Sequence, residues 1–299
     1  MGKIAFVFSG QGDQYPGMAK ELVEKYPVAA SVFEMCEGIR PGTLHQCMEG
    51  TEEELKETAN TQPCLFAMEL AAAEVLKEKG ICPDVVAGFS LGEVVAATAA
   101  GTFEKETGFE LVCKRGKFMQ QEAEKFDTAM AAVVKLSAEQ VEAVCDKFEG
   151  IYPVNYNCPG QVSVSGLAEV MPRFSESIRA EGGRVIPLKV KGAFHSPFMK
   201  EAAEAFGKEL ECADIQEQKI TLYSNLTAQP YTADVVALLS KQICNPVRWE
   251  AIIRNMIADG VDTFVEIGPG KTLVNMIKKI DPEVKVQTVF EVLAEVEAC

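Results

Sequence analysis

The segment best suited to chemistry is a serine between glycines, the Gly-Phe-Ser-Leu-Gly of residues 88–92, which follows the apolar run of residues 85–87. A serine on a tight strand-to-helix turn needs glycine on both sides, because the backbone bends sharply and neighbouring chains approach closely. Such a turn exposes the hydroxyl, and the backbone N–H of Leu91 at the start of the next helix can face a developing oxyanion. The pattern predicts Ser90 as a nucleophile, and the alternative is an ordinary turn with a solvated serine.

A serine hydroxyl needs a general base that titrates near neutral pH, which is usually a histidine. The chain has two histidines. His195 lies in a rigid turn bounded by Gly192 and Pro197, whereas the segment around His45 has no such constraint and favours a surface loop. A structural histidine is the alternative at position 195, but Ser90 has no other base, so we expect His195 to serve it. No aspartate is evident to orient the imidazole, so a backbone carbonyl would do so and leave a dyad.

Two further segments carry polar groups that could meet a ligand. Residues 9–14, Ser-Gly-Gln-Gly-Asp-Gln, follow a buried apolar strand, and open α/β sheets bind ligands at such positions. A plain glycine-rich turn is the alternative. Arg115 lies on a predicted helix over residues 104–124, where Lys114 and Lys117 also make a solvated helix face possible.

Composition excludes several classes of partner. The 299-residue chain has a formal net charge of −15, which argues against nucleic acid or an anionic membrane as the main partner. It has no run of about 18 apolar residues, and its N-terminus lacks the features of a signal peptide. The ten cysteines show no C-x-x-C spacing, so we expect buried thiols, a reducing cytoplasm and no metal site.

The pattern of elements indicates a parallel sheet interrupted by a smaller unit. Short apolar runs at residues 4–8 and 263–267 are typical of buried parallel strands. Between residues 128 and 190 the pattern becomes strand-helix-strand-strand-helix-strand, the split arrangement of ferredoxin-like units. A helix over residues 63–79 is predicted from its apolar spacing.

Seven motifs occur in the order, and close to the spacings, of a known family. They are the loop around Gln11, the elbow of residues 88–93, Arg115 in Lys-Arg-Gly-Lys-Phe-Met-Gln, residues 155–166, Gly-Ala-Phe-His-Ser at 192–196, Asn-Pro-Val-Arg-Trp at 245–249 and Glu-Ile-Gly-Pro-Gly at 266–270. On these residues the chain resembles malonyl-CoA:acyl carrier protein transacylase, the acyltransferase of type II fatty acid synthesis, over nearly its full length.

The resemblance implies ping-pong transfer of a malonyl group from malonyl-CoA to the phosphopantetheine thiol of acyl carrier protein, for fatty acid elongation. Ser90 would carry the malonyl ester and His195 would act as base and then acid. The other implied roles are a histidine-orienting main-chain carbonyl at Gln242, an oxyanion hole from the backbone N–H groups of Gln11 and Leu91, and a clamp for the substrate carboxylate at Arg115. No metal or redox cofactor is implied, and we expect a cytoplasmic monomer.

With this resemblance we predict an α/β fold. An α/β-hydrolase-like parallel-sheet core would comprise residues 1–126 and 193–299, with a ferredoxin-like βαββαβ subdomain inserted at 127–192. The active site would lie in the cleft between them.

Alternative functions remain at this point. They are a carrier-protein acyltransferase of polyketide synthesis or with another acyl-CoA donor, an acyl-thioester hydrolase, and a carrier-binding module without activity. Three positions depart from the family pattern: Phe89 stands where histidine is usual, Ser9 where proline is usual and Asp13 where serine is usual.

An acidic carrier protein would need a basic docking patch on this acidic chain. Lys189, Lys191 and Lys271 flank two of the motif turns and are candidates. Solvated surface lysines are the alternative.

Overall fold

The structure is a computed structural model that describes residues 2–232 and 234–298, without the side chain of Lys191. Its strands are β1 (Lys3–Phe8), β2 (Val85–Gly88), β3 (Thr128–Val134), β4 (Ile151–Cys158), β5 (Gln161–Leu167), β6 (Arg184–Lys191), β7 (Thr221–Tyr223), β8 (Val261–Ile267) and β9 (Lys285–Thr288). Its α-helices are α1 (Lys20–Lys25), α2 (Pro27–Ile39), α3 (Thr43–Glu49), α4 (Glu52–Lys56), α5 (Thr58–Glu78), α6 (Leu91–Ala99), α7 (Lys105–Ala123), α8 (Ala138–Cys145), α9 (Met171–Ala180), α10 (Lys200–Glu211), α11 (Val235–Gln242), α12 (Trp249–Ala258), α13 (Thr272–Ile280) and α14 (Val289–Glu297).

A parallel sheet in the order β7-β2-β1-β8-β9 forms the larger unit. Successive residues of β1 face opposite sides, so Phe6 and Phe8 join one apolar cluster while Ala5 and Val7 join the other. Burial on both faces explains why the strand is a continuous apolar run. Because all the strands point the same way, the loops that follow β7, β2, β1 and β8 meet at one edge of the sheet.

The smaller unit is an antiparallel sheet in the order β4-β5-β3-β6, with α8 and α9 on one face. Its chain order is β3-α8-β4-β5-α9-β6, the ferredoxin-like pattern expected from the sequence. Ser137 and Gln140 form the predicted capping box at the start of α8. The predicted fold class is confirmed.

Main-chain hydrogen bonds, as well as the crossing chain, join the smaller sheet to the segment between α11 and α12. Asn155 of β4 pairs in parallel with Val247. Tyr156 N–H donates to the Val247 carbonyl at 2.9 Å, and Val247 N–H donates to the Val154 carbonyl at the same distance. The expected division of the chain at residues 126/127 and 192/193 stays a prediction.

Some local expectations were wrong. The helix predicted from residue 63 begins five residues earlier, so Pro63 lies inside α5. His45 is exposed as expected, but it lies on α3 and not in a loop. Cys82 and Cys212 are exposed, so the scattered thiols are not uniformly buried.

Within residues 2–232 and 234–298, no helix is both long and apolar enough to cross a membrane.

Candidate active site

Ser90 lies on a strained turn between β2 and α6. Its φ of 57° and ψ of −107° belong to a region that residues with side chains rarely adopt. The flanking glycines make this turn possible. A Cβ on Gly88 would lie 1.9 Å from the Gly92 carbonyl, and one on Gly92 would lie 2.4 Å from the carbonyl oxygen of Phe8. The main chain therefore passes so close to itself that any larger residue would displace the serine.

Ser90 and His195 form a hydrogen-bonded pair. The distance from Ser90 Oγ to His195 Nε2 is 2.7 Å, and His195 Nδ1 lies 2.9 Å from the main-chain carbonyl oxygen of Gln242. A carbonyl oxygen can only accept, so the ring proton is on Nδ1 and Nε2 is left to accept from the serine. No carboxylate is needed to select this tautomer.

His195 is held neutral by its surroundings. It is buried, with a φ of 61°, in a turn closed by the hydrogen bond from His195 N–H to the Ile243 carbonyl. Burial and the nearby Arg115 charge lower its pKa from 6.5 to about 4. The imidazole is therefore in its basic form throughout the physiological pH range.

Arg115 is fully buried beside the same serine, which excludes a solvated helix face. Its Nη2 donates to Ser90 Oγ at 3.2 Å and to Gln242 Oε1 at 2.8 Å, and its Nη1 donates to Gln62 Oε1 at 2.7 Å. Burial lowers its pKa to about 10, which leaves it charged at neutral pH. Its direct partners are neutral groups, so the charge stays available to an anionic ligand.

The two expected oxyanion donors lie after adjacent parallel strands. Phe8 pairs with Gly88 in register, which places the loop of Gln11 beside the turn that leads to Leu91. Leu91 is the first residue of α6, where a backbone N–H has no partner within the helix. The Gln11 side chain is fixed by Thr58, whose hydroxyl donates to its Oε1 at 2.5 Å.

A cavity of about 260 Å³ opens between the two sheets next to this loop. Its lining includes Gln11, Phe89, Asn155, Asn157 and Leu188. The Oδ1 atoms of both asparagines are buried, and neither meets a donor in the part of the chain that the structure describes. The two asparagines thus make this part of the cavity wall polar.

Comparison with known proteins identifies the family. The acyl transferase domain model matches residues 5–293. A malonyl CoA-acyl carrier protein transacylase of Bacillus subtilis is 42% identical over 293 residues, which cover 95% of this chain and 92% of the relative. The chain belongs to the malonyl-CoA:acyl carrier protein transacylase family of acyl transferases.

Solved structures agree with this assignment. A crystal structure of malonyl CoA-acyl carrier protein transacylase from Clostridium perfringens matches with a TM-score of 0.94 at 33% identity, and covers 99% of this chain and 98% of that one. A malonyl-transacylase in complex with its type II PKS acyl-carrier protein matches with a TM-score of 0.95 at 31% identity. The match covers 99% of this chain and 100% of that one. The chain is therefore an acyltransferase.

Two residues that depart from the transacylase family pattern, Ser9 and Asp13, form hydrogen bonds with residues from position 266 to 272. Ser9 N–H donates to the Ile267 carbonyl at 3.2 Å, a bond that the family's usual proline cannot make, and its hydroxyl donates to Glu266 at 3.3 Å. Asp13 accepts from the Thr272 hydroxyl at 2.7 Å. Ser9 thereby fastens the Gln11 loop to the end of β8, and Asp13 fastens it to the start of α13.

Phe89 replaces the transacylase family's usual histidine. Its ring packs edge-on against Trp249 at a centroid distance of 5.5 Å, and it lines the cavity. The Phe89 ring therefore makes this part of the cavity wall apolar, whereas an imidazole would make it polar.

Sequence reasoning missed the polar residues beneath the dyad. They are Gln62, Glu93, Asn225 and the side chain of Gln242. Ser90 N–H donates to Asn225 Oδ1 at 2.8 Å, and Asn225 Nδ2 donates to the Gly88 carbonyl at 2.6 Å. The side chain of Asn225 therefore binds the main chain at two points of the turn. Glu93 carried a usable signal, because it is a charged residue in the otherwise apolar sequence of α6.

The lysines proposed for docking are only partly described. Lys189 and Lys271 are exposed, and their neighbours Leu188 and Thr272 line the cavity. The side chain of Lys191 lies outside the described residues.

Proposed function

We propose that this acyltransferase moves a malonyl group from malonyl-CoA to the phosphopantetheine thiol of acyl carrier protein, through a malonyl ester on Ser90. One observation carries the proposal: the Ser90 hydroxyl lies 2.7 Å from a neutral histidine and 3.2 Å from a buried arginine. The histidine suits acyl transfer, and the arginine suits an acyl group that ends in a carboxylate. The names and the carrier complex of the relatives support the donor and the acceptor.

In the first half-reaction Ser90 Oγ attacks the thioester carbonyl while its proton passes to His195 Nε2. The negative charge on the carbonyl oxygen is met by the backbone N–H groups of Gln11 and Leu91. The C–S bond then breaks, and coenzyme A leaves as a thiol with the proton from Nε2. The Gln242 carbonyl stabilises the transient imidazolium through Nδ1–H.

In the second half-reaction the carrier thiol follows the same route in reverse. His195 Nε2 takes the thiol proton, the sulfur attacks the malonyl ester, and the C–O bond breaks as Ser90 Oγ recovers its proton. The serine, the histidine and the main-chain donors suffice, so no step requires a metal or redox cofactor.

Arg115 is the proposed clamp for the malonyl carboxylate. A single methylene separates that carboxylate from the ester carbonyl, so it must lie close to Ser90 Oγ, where Nη2 already points. Arg115 Nε is buried and meets no acceptor among the described residues. Nε and Nη2 can therefore offer the two parallel donors of a bidentate pair.

Replacement of Arg115 tests this donor specificity. Arg115→Ala should lower malonyl loading by about a hundredfold or more, because a charged, buried contact to the substrate is lost. Loading from acetyl-CoA should be unchanged or faster. Rates of acyl-enzyme formation from both donors, followed by quenched-flow mass spectrometry, give the comparison. An equal loss with both donors would contradict the clamp.

Transfer to a carrier separates this function from its alternatives. The loaded enzyme is mixed with phosphopantetheinylated carriers of fatty acid and polyketide type. Malonyl appearing on the fatty acid carrier supports the proposal, and faster transfer to the polyketide carrier supports the other pathway. Decay to free malonate in the presence of either carrier would indicate a hydrolase.

We also propose that the enzyme works in the cytoplasm. The described cysteines are all free thiols, which is consistent with the reducing cytoplasm. The monomeric state expected from the sequence stays a prediction that sedimentation equilibrium can test.

A further inference from the structure

Glu93 is a buried carboxylate that touches neither Ser90 Oγ nor His195 but whose contacts lead to Arg115. It lies on α6 with no exposed surface. Its Oε1 accepts from Asn225 N–H at 2.9 Å and from the Tyr231 hydroxyl at 2.7 Å, and its Oε2 accepts from Gln242 Nε2 at 2.8 Å. Both oxygens are therefore used, in an apolar helix where a charged side chain has no packing advantage.

Gln242 connects this carboxylate to the clamp. Its Nε2 donates to Glu93 Oε2 and, at 2.7 Å, to the main-chain carbonyl of Ser90. Its Oε1 accepts from Arg115 Nη2 at 2.8 Å. Glu93 Oε2 and the Ser90 carbonyl oxygen both act as acceptors here, so the NH₂ side of the amide faces them and the amide oxygen faces the arginine.

We propose that Glu93 is a positioning residue for the acyl-donor specificity of the enzyme: it acts through Gln242 to hold Arg115 in the orientation that receives the substrate carboxylate. The inference rests on the proposed function, since it concerns the malonyl clamp. It goes further because it assigns a role to Glu93. It also assigns the Gln242 side chain a role in orienting Arg115, in addition to the contact of the Gln242 carbonyl with His195.

Glu93→Gln would reverse the hydrogen-bond donors and acceptors between positions 93 and 242 and would keep the shape of the side chain. The backbone N–H of Asn225 cannot turn, so the oxygen of the new amide must face it. The NH₂ group then faces Gln242 Nε2, and two donors oppose each other. Gln242 has to rotate, which brings its oxygen against the Ser90 carbonyl and its NH₂ group against Arg115 Nη2. Arg115 thereby loses an acceptor and its fixed orientation.

Tyr231 supplies a matched control. Tyr231→Phe removes one donor from Oε1 of the same buried carboxylate but leaves Oε2 bonded to Gln242. A general weakening of the turn should therefore appear in both variants. A loss of carboxylate selection should appear only in Glu93→Gln.

The test compares kcat/KM for acyl-serine formation from malonyl-CoA and acetyl-CoA in the wild type, Glu93→Gln and Tyr231→Phe. Glu93→Gln should lower the malonyl-to-acetyl ratio by about tenfold or more, mainly through the malonyl-CoA KM, because one buried charge-assisted contact is lost. Tyr231→Phe should keep the wild-type ratio within about twofold.

An unchanged ratio in Glu93→Gln, or the same fall in Tyr231→Phe, would overturn the proposal. If Glu93→Gln does not fold, Glu93→Asp gives the same comparison, because the shorter carboxylate withdraws from Gln242. A wild type that forms no malonyl-serine would instead refute the proposed function, so the two failures are distinguishable.

Discussion

At the scale of single residues, the site combines a neutral imidazole with a buried arginine, and both are hydrogen-bonded to Ser90 Oγ. Burial lowers the pKa of His195 and the Arg115 charge lowers it further, so the imidazole is neutral without a carboxylate partner. The folded protein keeps this histidine neutral, so its contribution to stability is present above its ordinary pKa of 6.5 and is lost as the pH falls toward 4.

The charge of Arg115 next to His195 predicts a shift in the pH dependence of acylation. In the wild type, loading from acetyl-CoA should fall only as the pH approaches about 4, where His195 becomes protonated. In Arg115→Ala the repelling charge is gone, so the falling limb should move to higher pH. Initial loading rates from below pH 4 to pH 8, with circular dichroism to verify folding at each pH, measure both limbs. Coincident limbs would mean that Arg115 does not act on His195.

Sequence reasoning reached some of these residues and not others for a physical reason. Ser90 and His195 stand in glycine- and proline-bounded turns, which leave a pattern in the sequence. The parts assigned to Gln242 and Arg115 followed only from the family resemblance. Gln62 and Asn225 left no pattern, because an amide gains its importance from the partners that the fold brings to it.

At the scale of elements, the close approach of β1, β2 and α6 sets the position of Ser90, the proposed nucleophile. Gly92 lies where the start of α6 meets the end of β1. Such contacts between main chains were foreseeable from the Gly-x-Ser-x-Gly pattern.

The extension of α5 before Pro63 was not foreseeable, because proline usually marks a helix start and the packing of α5 on α7 outweighs that preference.

Gly92→Ala should disable the elbow. The added Cβ would meet the Phe8 and Ser9 carbonyl oxygens at 2.4 and 2.5 Å, so strand or helix must move. We expect a loss of about 3 kcal/mol in the free energy of unfolding and no detectable acyl-serine. Gly38→Ala is the control, since its Cβ would meet nothing within 4 Å. Denaturant titration and loading assays report the two effects. Normal loading by a stable Gly92→Ala protein would contradict the role given to the close approach.

At the scale of the molecule, the cavity lies where β4 of the smaller sheet meets the larger unit through the pairing of Asn155 with Val247. The order of elements along the chain of the smaller unit followed from the sequence pattern, which is the split arrangement of ferredoxin-like units. The pairing of Asn155 with Val247 did not, because the two segments are far apart in sequence and neither has a partner pattern. This pairing fixes the cavity wall that carries Asn155 and Asn157 opposite the Gln11 loop.

The central claim is that Ser90 becomes malonylated by malonyl-CoA. The most direct test is the intact mass of the wild type and of Ser90→Ala after brief exposure to malonyl-CoA, each followed by addition of phosphopantetheinylated carrier protein. The account predicts one malonyl group on the wild type, its movement to the carrier, and no adduct on Ser90→Ala. A malonyl adduct that persists in Ser90→Ala, or a wild type that reacts only with another acyl-CoA, would contradict it.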